Sequence, residues 1–193
     1  MNLVLDPNTV IGDCLETALG LPTYVELINS VKDGSAFVDE TAARFQKTYN
    51  AFYRVRQRSP EWYKAYYRLM REQVTVERTF EAVLRELLPF GMLEVSFASK
   101  LLATVAPNRP IWDQYVIKAL GMDKKWAGYS GRPREERLKK AVELYDGIEQ
   151  WYAAFLNCPT GKACIARFDE ILPNYATRVS DVKKVDYMLV SRR

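Results

Sequence analysis

Apolar positions recur at three- and four-residue spacing along most of this chain, and strand-like alternation is rare. The segment PTYVELINSVKDG opens with Pro22 and closes on Gly34, a helix start and stop pair. Asp39 begins DETAARFQKTYNAFYRVRQR, in which Ala43, Phe45, Tyr49, Phe52 and Val55 share one broad stripe. In SPEWYKAYYRLMREQ, Ser59 is the expected N-cap and Pro60 occupies the first helical position. Thr75 is read as the start of TVERTFEAVLRELL, which Pro89 and Gly91 stop. Two short helices are expected over 96–105 and 113–120, the second ended by Gly121. GMDKKWAGYSGRP reads as a loop, followed by a long helix over 133–156. TGKACIARFDEIL and VSDVKKVDYMLVS are the last two helices. The pattern predicts an all-α fold of nine or ten helices, without repeats or low-complexity tracts.

One stretch carries charges that a core does not need: EVSFASKLLATVAPNRPIWDQYVIKAL, residues 94–120. Lys100 sits among Phe97, Leu101 and Leu102, and Asp113 follows PNRPIW. With Ser96 as N-cap, Lys100 falls in the first or second turn of its helix. Pro107 and Pro110 fix φ in the connector and discourage helix there. Asp113 is placed to cap the next helix, where backbone N–H groups and the helix dipole both favour a carboxylate. Such a carboxylate suits stabilising a nearby positive charge better than taking up a proton.

Composition narrows the chemistry. Of 193 residues, 48% are hydrophobic and 27% charged, ordinary for a globular protein, and the net charge is only +4. Histidine is absent, which excludes Ser-His-Asp and Cys-His catalysis and every histidine metal site. Carboxylates, lysine, cysteine, tyrosine and backbone groups remain. Three cysteines, Cys14, Cys158 and Cys164, are too few for a disulfide scaffold and point to a reducing cytoplasm. CPTGKAC offers two of them, read as partly buried thiols at helix starts rather than metal ligands. The start MNLVLDPNTV lacks the basic region of a signal peptide, and no apolar run reaches the roughly 20 residues of a membrane span.

Two segments combine aromatic and basic residues. In FYRVRQRSPEWYKAYYRLMR, Trp62, Tyr66 and Leu69 form one stripe and Tyr63, Tyr67 and Met70 its neighbour. Arg54, Arg56, Arg58, Lys64, Arg68 and Arg71 surround them. Arginine with aromatic rings suits phosphates and stacked bases, while the plain structural alternative is a core stripe. KKWAGYSGRPREERLKK, residues 124–140, is a second basic cluster whose glycines and Trp126 suit a substrate-facing loop or a solvated face. Lys183, Lys184, Arg192 and Arg193 either contact phosphates or keep the C-terminal end soluble.

SFASK, residues 96–100, falls where helix-hairpin-helix DNA glycosylases carry a Gly-x-Gly-x-Lys hairpin, with Ser96 and Ala98 at the glycine positions. RPIWDQYV resembles their proline-apolar-x-aspartate element. The chain is similar to the 8-oxoguanine DNA glycosylase-like group, as are SPEWYKAYYRLMRE and SDVKKVDYMLVS. The resemblance covers roughly residues 58–120 and the last helix. It implies a two-lobed helical bundle of the helix-hairpin-helix DNA glycosylase type, residues 1–193 as one domain, with the cleft near 96–113. It implies excision of a damaged or modified base flipped from DNA: an oxidised purine, or a phage-type modified pyrimidine in a defence role. Asp113 would stabilise positive charge on the sugar, and Lys100 would be the amine nucleophile. Ser96, Ser99, Arg54, Arg56, Arg58, Lys124, Lys125 and Arg132 would bind DNA, and Trp62, Tyr66, Trp112 and Trp126 would form the base pocket. The implied protein is a cytoplasmic monomer on double-stranded DNA, without membrane, metal or cofactor. The alternative is a non-catalytic helical DNA-binding or protein-interaction module on the same scaffold.

Overall fold

Side-chain caps mark five of the helix starts, at Ser59, Thr79, Asp113, Cys158 and Ser180. Ser59 accepts from the Trp62 N–H at 3.2 Å, and Asp113 accepts from the Tyr115 N–H at 2.9 Å, each satisfying a helix-start donor. A computed structural model describes residues 5–9 and 20–191, and among these there are ten α-helices and no strand. They are α1 (Leu21–Lys32), α2 (Asp39–Tyr53), α3 (Pro60–Gln73), α4 (Phe80–Leu87) and α5 (Val95–Val105). The remainder are α6 (Gln114–Ala119), α7 (Asp123–Ala127), α8 (Arg134–Asn157), α9 (Pro159–Ile171) and α10 (Asp181–Ser191). No helix among the described residues is long and apolar enough to cross a membrane.

The all-α expectation holds, and four local readings are corrected. The helix expected from Thr75 starts at Phe80, because Thr79 is the residue whose hydroxyl accepts from the Ala82 N–H. The preceding turn is held by Gln73, which accepts from the Arg78 N–H, and by the Arg78–Glu72 ion pair. Ser96 is not the cap of α5; the helix already runs from Val95, with Glu94 at the cap position. SFASK is therefore helical throughout, and the turn between α4 and α5 is residues 88–94. The expected loop over 121–133 contains α7, and Ala43 of the α2 stripe is exposed.

α5 is the central element. It packs against α1, α3 and α4, and eight of its eleven residues are buried. Tyr66 of α3 is wholly buried; its hydroxyl donates to Phe97 O at 2.9 Å and meets the Tyr49 hydroxyl at 2.7 Å. Each such bond contributes about 1 kcal/mol net; the first ties α3 to α5 and the second ties α3 to α2. Trp62 stacks on Tyr66 with ring centres 4.6 Å apart. Arg58 closes the other side with a two-point ion pair to Glu94, at 2.7 and 3.2 Å.

The proline-stiffened connector between α5 and α6 is held from three helices. Ser99 of α5 accepts from the Trp112 N–H at 2.7 Å, and Tyr145 of α8 donates to Pro110 O at 2.9 Å. Ser180, capping α10, donates to Pro107 O. Arg109 forms an ion pair with Glu149 of α8 at 2.9 Å.

The α8–α9 junction allows no extra atom. A Cβ on Gly161 would lie 1.8 Å from Phe155 O and 2.7 Å from its carbonyl carbon. Gly161→Ala should therefore cost about 1–3 kcal/mol, lowering Tm by roughly 2–12 °C in a chain of this size. Thermal unfolding followed by circular dichroism checks this, and an unchanged Tm would refute the close approach.

Candidate active site

The connector brings Asp113 to face Lys100. The two charged groups line a cavity of about 720 Å3, with the Lys100 Nζ 3.9 Å from Asp113 Oδ2. That separation is an ion-pair contact but too long for a hydrogen bond. Asp113 uses its other oxygen to cap α6. Lys100, 9% exposed, sits in the second turn of α5, with its amine 5.6 Å from the Phe97 ring centre and 5.7 Å from that of Tyr53. Burial pushes its pKa below the ordinary lysine value; Asp113 pulls it back up, and Lys183 and Arg54 push it further down. The arrangement presents an amine with weakened hold on its proton beside a fixed carboxylate.

Aromatic and apolar side chains form much of the rest of the wall, alongside Arg54, Ser96, Gln114, Lys183 and Asp186. Phe52, Tyr53, Phe97, Trp112, Trp126 and Tyr187 all line the cavity. Trp126 of α7 packs edge-on against Trp112 with ring centres 5.2 Å apart, under the Arg137 guanidinium. A concave aromatic wall with a few converging polar groups is the usual form of a small-molecule site.

Arg54 stands at the end of α2, exposed, and lines the same cavity. Its φ of 56° is left-handed, a position where helices usually end on glycine. Gln57 also has a φ of 56°. Two such residues so close together cost of order 1 kcal/mol each and mark a turn held against local preference.

The structure separates the sequence-predicted residues into three groups. Lys100, Asp113, Ser96, Arg54, Trp112 and Trp126 meet at the cavity. Arg56, Lys124, Lys125 and Arg132 are exposed, the two lysines on α7 with Trp126. Trp62 and Tyr66 do not line the cavity and are corrected from base pocket to core, because their stripe faces α2 and α5. Ser99 is likewise corrected: it is wholly buried, its hydroxyl donating to Ser96 O and accepting from the connector. Arg58 is committed to Glu94 and to the carbonyls of Arg56 and Gln57, so it is no free phosphate contact.

The C-terminal lysines are also corrected. Lys183 and Lys184 are buried and paired, with Asp186 and with Asp169 and Asp181 respectively. Arg192, Arg193 and Cys14 lie outside the described residues. Cys158 caps α9 with its sulfur, but Cys164 is in the helix interior, its thiol pushed up to about 11 by burial. No three cysteine or carboxylate side chains cluster as metal ligands among the described residues. Sequence reading missed Tyr53, Asp186 and Tyr187 as cavity residues. The i, i+3 spacing of Lys183 and Asp186 within an apolar helix was the available signal. Compared with known proteins, the chain matches no family model, no curated protein and no solved structure at a significant level.

If burial opposes the charge on Lys100, removing the amine should stabilise the fold. The folded-state pKa lies below the unfolded one, so the unfolded chain binds the proton more tightly. The penalty is full below the folded pKa and disappears as pH rises through the ordinary lysine value near 10.4. Lys100→Met should raise Tm at pH 7, with the gain shrinking above pH 10. A Tm that falls at neutral pH would mean the ion pair with Asp113 outweighs burial.

Proposed function

We propose that the cavity is the active site of a DNA glycosylase that excises a damaged or modified base after flipping it from the duplex. The observation that carries this reading is the convergence of the Lys100 amine and the Asp113 carboxylate, 3.9 Å apart, on one aromatic-lined cavity. Breaking the bond between base and sugar develops positive charge on the sugar, which Asp113 offsets. The Lys100 lone pair forms a bond to the sugar carbon as the base departs with the glycosidic electron pair and takes up a proton. The amine then sheds a proton as the ring oxygen leaves with its electrons and is protonated, giving a protonated imine. Trp112, Trp126 and Phe97 supply faces against which an extruded base stacks.

The exposed cations, Arg54 on the cavity wall and Arg56, Lys124, Lys125 and Arg132 elsewhere on the surface, suit DNA phosphates. The volume of about 720 Å3 accommodates a substituted base, consistent with either an oxidised purine or a modified pyrimidine.

Incubation with a panel of duplexes bearing different modified bases, read as free base and abasic sites, tests this directly. Wild type should release at least one base, and borohydride should trap it covalently on DNA through Lys100. Asp113→Asn, which keeps a capping side chain, should bind that duplex and lose on the order of 100-fold or more in release. Salt-dependent duplex binding with no release from any member would favour the non-catalytic DNA-binding module.

Arg54 gives an independent check. Arg54→Gly relieves the left-handed backbone and should leave stability unchanged or higher by up to about 1 kcal/mol. It should also reduce the slope of log K against log salt by about 0.9, the value of one phosphate contact. An unchanged slope would assign Arg54 to a purely local role.

A further inference from the structure

A second lysine lines the same cavity in a very different setting. Lys183 on α10 is 5% exposed and donates to Asp186 Oδ2 at 3.3 Å. Asp186, 1% exposed, also accepts from the Tyr152 hydroxyl at 2.5 Å and from the Ile111 N–H of the connector. The Lys183 ammonium lies 5.0 Å from the Tyr24 ring centre and 5.3 Å from that of Tyr187. Its surroundings are thus an anion and two π faces, all of which favour the charged form. Lys100 also lies near two rings, Phe97 at 5.6 Å and Tyr53 at 5.7 Å, but its carboxylate partner is beyond hydrogen-bond reach, and it shares its cavity with Arg54 and Lys183. One lysine holds its proton more firmly than an ordinary lysine, the other less firmly.

We infer that Lys183 is a positioning residue, a fixed cation on the cavity wall that favours the unprotonated, nucleophilic form of the Lys100 amine. What that amine attacks rests on the glycosylase reading; the charge relation between the two lysines does not. A desolvated lysine beside another cation is a general way to prepare an amine nucleophile. Pairs of groups whose surroundings drive their proton affinities apart mark the division of roles. Burial alone would lower Lys183, but Asp186 and then Tyr53 outweigh it and hold it above the ordinary lysine value. Burial lowers Lys100, against Asp113, and Lys183 adds to that lowering ahead of Arg54.

The charged and titratable groups around Lys100 come from four elements. α2 contributes Tyr53 and, at its end, Arg54; Asp113 caps α6; α10 contributes Lys183, Asp186 and Tyr187; and α1 contributes Tyr24 behind Lys183. Arg58 and Glu94 form an ion pair at the start of α5, as Lys183 and Asp186 do on α10. Of the cations lining the cavity besides Lys100, Arg54 is exposed and screened by solvent, whereas Lys183 is buried.

The test needs no DNA. Unprotonated Lys100 condenses with formaldehyde to an imine with loss of water, and cyanoborohydride delivers hydride to give the methylamine. The rate of this labelling at Lys100 is followed against pH by peptide mass spectrometry. In wild type its midpoint should lie below that of the surface lysines. In Lys183→Met/Asp186→Asn, which leaves no orphan charge and keeps an acceptor for Tyr152, the midpoint should rise toward that of the surface lysines, with less free amine at fixed pH. Lys183→Arg, which keeps the cation, should hold the wild-type midpoint. An unchanged midpoint in the folded double variant overturns the inference, as does a rise in Lys183→Arg equal to that of the double. A base panel without release sinks only the glycosylase reading and leaves the midpoint result to decide this one.

Discussion

Everything at the cavity depends on how the connector between α5 and α6 is held. Its prolines limit the backbone, but they do not choose where it lies. Ser99 of α5, Tyr145 of α8 and the Ser180 cap of α10 do that, with Asp186 receiving the Ile111 N–H. These bonds satisfy buried backbone groups that helix and sheet would otherwise take, so loss of any one leaves an orphan costing about 1–3 kcal/mol. The connector ends at Asp113, and its rigidity sets the 3.9 Å between that carboxylate and Lys100.

Divided duty at Asp113 gives the pair its character. A carboxylate free to turn would form a full ion pair with Lys100 and hold its proton in place. Here one oxygen is committed to α6, and the other stops short of hydrogen-bond distance. Burial therefore wins over attraction, and the amine is held below its ordinary pKa. The contrast lies a few side chains away. Lys184 and Lys183 are as deeply buried as Lys100, yet both form hydrogen-bonded ion pairs with aspartates.

Local chemistry made much of the fold legible in the sequence. Ser59 with Pro60, and Asp113 after the proline connector, signal helix starts through groups that act within three residues. Thr75 and Thr79 carry the same local signal, and the choice between them lies in Gln73 and Glu72 reaching back to Arg78. The aromatic stripe of α3 was legible as a stripe, but not which neighbour it faces; that neighbour is α5, so Trp62 and Tyr66 are core. Lys100 and Asp113 stood out because charges in an apolar segment need a reason. Lys183 did not, because a basic residue near a chain end reads as solvated until Tyr24, Tyr152 and Asp186 are brought around it.

The chemistry proposed for the cavity depends on Lys100 being a lysine that burial has loosened from its proton. A pH titration of the Lys100 side-chain carbon resonance in lysine-labelled protein, assigned by its loss in Lys100→Gln, measures that state without substrate. The account predicts a midpoint clearly below the ordinary lysine value of about 10.4. A midpoint at or above that value would mean that Asp113 holds the amine as a charged partner, and would contradict the nucleophile role from which the rest follows.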